Sequence, residues 1–126
     1  MADQPVTSTA KVAKYRAAIG VFSGLLAEMR ELSKKKADAT LSKGKVKILN
    51  RVLEDLKEVL GDEAEAKYLD FLDEDDLPQN SDAVLVMVQY EKALKAFNGR
   101  YRAYDKVKFK SYWMTESTSV ERDYDD

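Results

Sequence analysis

The sequence predicts an all-α fold, an antiparallel bundle of four helices. Three observations lead there. Apolar residues recur at alternating spacings of three and four along most of the 126 residues. Gly (5) and Pro (2) are too few to punctuate an all-β chain. Hydrophobic residues at 44% and charged residues at 35% give the balance of a globular domain with a core of its own.

Residues 1–8 read as a loose leader, with Thr7, Ser8 or Thr9 available to cap a first helix over about 9–35. Its large apolar stripe is Val12, Tyr15, Ile19, Phe22, Leu26 and Met29, widened by Ala18, Leu25 and Leu32. Lys11, Lys14 and Arg16 ahead of the apolar run Ala17–Ala27 imitate a signal peptide, but the helical period continues through Met29 and Leu32. A polar connection with Thr40 and Ser42 as capping candidates leads to a second helix, 43–60, built on Val46, Leu49, Leu53, Leu56 and Leu60 and flanked by Ile48, Val52 and Val59. Gly61 is placed to end it in a left-handed C-cap.

Asp62 and Glu65 have capping-box spacing and open a short third helix over 63–72. The acidic run Asp73–Asp76 and Pro78 end it. Asn80 or Ser81 caps a fourth helix over 81–105, with the stripe Ala83, Met87, Tyr90, Leu94, Phe97, Tyr101 and Tyr104 and Gly99 tolerated inside. Residues 106–113 begin by alternating, which permits a short extended segment. The domain is therefore expected over 9–114, followed by a disordered acidic tail over 115–126.

Composition narrows the chemistry. The chain has no cysteine and no histidine, which removes thiol nucleophiles, zinc–thiolate sites and the commonest general acid–base group. No phosphate-binding glycine loop or nucleophile elbow occurs, and the acidic run Asp70, Asp73–Asp76 lacks the glycine and final glutamate of an EF-hand. No catalytic residue, cofactor or metal is expected. The absence of cysteine fits a reducing compartment, so a cytoplasmic protein without a membrane anchor is the expectation.

Three surfaces attract attention. The first is a stripe of small residues on the first helix, Ala13, Ala17, Gly20, Gly24 and Ala27 with Val21 beside it, nearly opposite the large stripe. Two glycines inside a helix cost about 1 kcal/mol each relative to alanine. Solvent exposure, burial in the same chain and a helix–helix interface are the alternatives; the interface is the expectation carried forward.

The second surface is basic. Residues 30–51 hold eight basic side chains against two acidic ones, and residues 54–76 hold eleven acidic against two basic. Lys43, Lys45, Lys47 and Arg51 crowd the start of the second helix while Glu54, Asp55 and Glu58 crowd its end, against the preference of the helix dipole. With Arg30, Lys34, Lys35 and Lys36 they form a candidate anion surface, the plainer reading being a solvated face. The third surface interleaves Arg100, Arg102, Lys106, Lys108, Lys110 and Trp113 with tyrosines and Phe109, a pattern compatible with stacking on bases, the plainer reading being that Tyr101 and Tyr104 pack in the core and that Trp113 and Phe109 fold back over the bundle end.

The function expected is a non-catalytic protein–protein interaction or assembly module, either a homo-oligomer or an accessory subunit. The alternative is an accessory nucleic-acid-binding protein using the basic 30–51 and 100–113 surfaces.

Overall fold

The computed structural model describes residues 5–117 and 123–124, and it is mostly helical. Three α-helices form it, α1 (Thr9–Lys36), α2 (Lys43–Leu60) and α3 (Asn80–Tyr101). A small antiparallel sheet follows, of order β1 (Arg102–Asp105), β2 (Lys110–Trp113) and β3 (Asp123–Tyr124).

The first two helices lie where the apolar period puts them. Ser8 caps α1 by accepting from the Lys11 amide at 3.0 Å, and Ser42 caps α2 by accepting from Lys45 at 3.2 Å. α3 starts differently from expectation. Gln79 is its N-cap, in a reciprocal box with Asp82, which frees Asn80 for another task. The Asn80 side chain is buried and donates to the Lys36 carbonyl at 2.9 Å, tying the start of α3 to the end of α1. The Asn80 and Ser81 amides donate to Ala39 and Ala37, and Leu41 donates to Pro78. Gly99 stays inside the helix.

The four-helix expectation fails at the third helix. Residues 63–72 form only a 3-10 turn, Ala64–Tyr68, with no side-chain cap, and then run extended. The physical reason is tertiary. α2 runs back along α1, and α3 begins again beside the end of α1, so this segment must return the length of α2, about 27 Å at 1.5 Å per residue. Side chains of neighbouring helices take over the backbone groups that a helix would have satisfied. Asn50 exchanges two hydrogen bonds with the Leu72 backbone at 2.7 and 3.0 Å. Lys57 donates to the Leu69 carbonyl, the Asp70 amide donates to Gln89, and the Tyr90 hydroxyl donates to the Asp70 carbonyl at 2.8 Å. Leu69 and Leu72 are thereby buried from an extended backbone. Gly61 is not left-handed either; its φ is −58° and the chain continues in a turn.

The expected fourth helix is also shorter. It ends at Tyr101, and residues 102–105 become β1, facing β2 in the register Arg102–Trp113 to Asp105–Lys110. The turn between them is closed by Asp105, whose carboxylate accepts from the Val107 and Lys108 amides. Phe109 takes a left-handed backbone, φ 57°, to re-enter the strand. Trp113, 2% exposed, packs edge-on against Tyr15 with ring centres 5.1 Å apart and against Phe97 at 5.7 Å. This aromatic group wins the segment for sheet over continued helix.

The described residues of the leader and tail are joined to each other and to α1. The Thr7 amide donates to the Met114 carbonyl at 2.9 Å, and Thr7 and Thr115 are both buried. The Thr9 amide donates to both carboxylate oxygens of Glu116, which thus sits on the N-terminus of α1. That contact holds the Glu116 carboxyl below its ordinary range. Residues 1–4, 118–122 and 125–126, where the rest of the expected leader and tail fall, lie outside the described residues.

One core joins the elements: Val12, Phe22, Leu26 and Met29 of α1, the leucine stripe of α2, Met87, Tyr90, Leu94 and Phe97 of α3, and Trp113. Among the described residues no helix is long and apolar enough to cross a membrane.

Candidate functional site

A three-helix arrangement leaves one side of the α1–α2 pair uncovered. The side chains there are apolar where solvent would favour polar ones. Val21 is 57% exposed and Ile48 47% exposed, and Leu25 and Leu32 are only half-buried. Together they line two adjoining open hollows between α1 and α2, taken below as the two halves of one groove. Its lower half is walled by Leu25, Leu32, Ile48 and Leu49, and its upper half by Ala17, Val21 and Val52, with Leu25 and Ile48 common to both. Charges rim it: Glu28 and Lys45 at one end, Arg51 and Asp55 at the other.

The small-residue stripe lies next to this groove. Ala13, Ala17, Gly20, Val21, Gly24 and Ala27 are all exposed, so burial within the chain is ruled out. A methyl group built on Gly20 or Gly24 meets nothing within 4 Å. Ala17 and Val21 belong both to the stripe and to the groove wall. Ile48 and Val52 carry the groove on α2; in the sequence they look like flanks of the core stripe. Their signal is angular: Ile48 sits well off the centre of the arc defined by Leu49, Leu53, Leu56 and Leu60.

Three of the eight basic side chains of the 30–51 surface are paired with the chain's own acids. Arg30 donates to Glu91 at 3.0 Å, Lys34 meets Glu31 at 3.3 Å and Lys43 meets Asp75 at 3.5 Å. Lys35, Lys36, Lys45, Lys47 and Arg51 are exposed. No described residue forms an ion pair with Lys45, Lys47 or Arg51. At the acidic end of α2, Lys14 is paired with Glu58, which raises the lysine pKa, and Lys11 is paired with Asp62 at 2.6 Å, which lowers that of the acid.

The 100–113 surface loses two members. Arg100 is a bidentate partner of Glu65 at 2.6 and 2.7 Å and also reaches Glu63 at 3.1 Å. The guanidinium holds the Glu65 carboxyl below its usual range. Tyr101 donates to Glu63 as well, and burial together with that carboxylate pushes its hydroxyl pKa up. Trp113 is buried in the core, with Arg102 over its ring at 5.8 Å. Neither Arg100 nor Trp113 can serve a base-stacking surface. Lys106, Lys108 and Lys110 remain exposed around Val107 and Phe109 at the hairpin tip.

The two basic regions lie at opposite ends of the molecule. Residues 36–43 meet the start of α3, whereas the hairpin packs on Tyr15 and Phe97 near the other end of α1. The 28 residues of α1 are about 42 Å long. Residues 30–51 and 100–113 therefore do not combine into one patch. Comparison with family models, with curated proteins and with solved structures found no match.

Proposed function

We propose that the protein is a non-catalytic interaction module and that the open α1–α2 face is where its partner docks. The observation that carries this reading is the apolar groove itself, with Val21 and Ile48 about half exposed at its rim. Leaving such side chains in water forgoes roughly 1–2 kcal/mol each, a cost that a docked partner removes. Gly20 and Gly24 beside the groove leave the helix backbone approachable on the same side.

The test is recovery of the protein after crosslinking in its own cells, comparing wild type with a V21K/I48K variant. Both positions are exposed enough to accept lysine without disturbing the core. The variant is expected to lose a species crosslinked to the wild type in stoichiometric amount. Identical crosslinked species for the two proteins would end the reading.

A second reading rests on the hairpin tip. Phe109 is 77% exposed and Val107 86% exposed, held out by the Asp105 turn among three lysines. Exposed aromatic and basic side chains on a two-stranded ribbon suit a single-stranded nucleic acid. The hairpin tip stands apart from the 30–51 lysines, at the other end of α1, and is small by itself, so it ranks behind the groove.

A further inference from the structure

The α2 wall of the groove has an order that identifies its occupant. Six side chains of α2 line it, Lys45, Ile48, Leu49, Arg51, Val52 and Asp55; Leu49 is buried in the core and Arg51 stands at the rim, and the other four, Lys45, Ile48, Val52 and Asp55, follow one another along the helix. Their spacings of three, four and three keep them on one side of the helix. Read from either end the pattern is charge, apolar, apolar, charge, with only the sign of the ends reversed. A two-fold axis crossing α2 at the level of Asn50 pairs positions whose numbers add to 100. It sets Ile48 against the partner's Val52 and Lys45 against the partner's Asp55, each twice by symmetry.

Within one copy Asp55 feels Lys14 at a distance, and no described residue forms an ion pair with Lys45. Lys45 and Asp55 are ten residues apart on the same helix, about 15 Å, out of reach of each other. The wider charge distribution follows it only in outline. The first half of α2 carries Lys43, Lys45, Lys47 and Arg51, and the second half carries Glu54, Asp55 and Glu58 with Lys57 among them, which the same axis sets against the partner's Lys43. That order is unfavourable toward the dipole of the helix that bears it. It becomes favourable when a second α2 runs antiparallel alongside, because each basic half then faces an acidic one and the two dipoles oppose. A partner of unrelated sequence would not require the wall to be self-complementary.

We propose that a second copy of this chain occupies the groove, with α2 packed antiparallel on α2 about a two-fold axis near Asn50. This rests on the reading of the α1–α2 face as an interaction surface and adds the partner. Val21 and Leu25 of α1 form the far wall, and Ala17 keeps the upper end of the groove open to the partner's helix.

Sedimentation equilibrium of the full chain tests it, at protein concentrations up to about 100 μM, where a micromolar dimer predominates. The wild type should sediment as a dimer. K45E puts an acid opposite the partner's Asp55, and D55K puts a base opposite the partner's Lys45. Each alone should weaken self-association by about tenfold or more, since like charges replace opposite ones at two symmetric contacts.

An equimolar mixture of K45E and D55K should recover association near the wild-type strength. In that mixed pair the introduced acid meets the introduced base, and the native Lys45 meets the native Asp55. Recovery would also show that both variants are folded. A wild type that is monomeric throughout the range, or a mixture no tighter than the weaker single variant, overturns the proposal. A monomeric wild type that still yields a V21K/I48K-sensitive crosslink to another protein removes the second copy as occupant and leaves the interaction surface standing.

Discussion

Replacing Gly20 and Gly24 by alanine should stabilise the protein. Both lie well inside a 28-residue helix, and neither has a positive φ, so an L side chain fits the backbone without strain. A Cβ at either position meets no atom within 4 Å beyond the local helix. The expected gain is the intrinsic difference between glycine and alanine, about 1 kcal/mol per site, much of it through the unfolded chain. Together the two substitutions should add about 2 kcal/mol, or roughly 7–8 °C in Tm for a chain of this size. Urea unfolding followed by circular dichroism should show the midpoint rising by about 1 M with an unchanged slope.

Gly61→Ala is the contrast. There a Cβ falls 3.4 Å from the Lys57 carbonyl at the helix end, and the gain should be smaller. The reasoning is refuted if G20A/G24A leaves the midpoint unchanged or lowers it. That result would mean that something covers this face so closely that a methyl group collides with it.

The other predictions concern the contacts that replaced the expected helices. Asn50→Ala leaves the Leu72 amide and carbonyl without their side-chain partners and should cost about 2 kcal/mol, read by the same urea unfolding, with faster amide exchange over residues 69–73. Trp113→Ala should cost about 3–5 kcal/mol. In the wild type the indole, being the only one in the chain, should emit at short wavelength and resist acrylamide quenching.

Glu65 is held ionised by Arg100 below its unfolded pKa, so this contact should contribute its full stability above the ordinary carboxylate range and lose it as the pH falls through the lowered folded value. Glu65→Gln should flatten that acid limb, and stability curves from pH 7 to pH 3 would show it. If the hairpin tip binds single strands, oligonucleotide affinity should fall steeply with salt, and K106E/K108E/K110E should abolish it; no binding of the wild type at low salt would dismiss that reading.

α1 and α2 were legible from the sequence because their apolar positions repeat for many turns and their caps, Ser8 and Ser42, sit where the repeat begins. A long period averages over local exceptions, and the helix needs only its own residues to satisfy its backbone. The same reasoning covered α3 as far as Tyr101. It failed beyond, because Tyr104 continues the stripe in number while the chain leaves it in space. Which of Tyr101, Tyr104 and Trp113 enters the core depends on Tyr15 and Phe97, far away in sequence. The third helix failed for a related reason. Asn50, Lys57, Gln89 and Tyr90 offered its backbone other partners, and none of them lies within the segment.

The candidate site divides the same way. The sequence alone determined that α1 carries two glycines it does not need and that α2 carries its charges in the order its dipole disfavours. Both follow from spacing along a single helix. It also marked Arg100 and Trp113 for a nucleic-acid surface, and there tertiary structure decided otherwise: one is locked to Glu65 and Glu63, the other sealed in the core. That α1 and α2 present an open groove, and that Lys45, Ile48, Val52 and Asp55 face it together, was decided only when the extended return of residues 69–79 left one side of the pair without a covering helix. Exposure is a property of what is absent next to a residue, and no spacing within one helix records it.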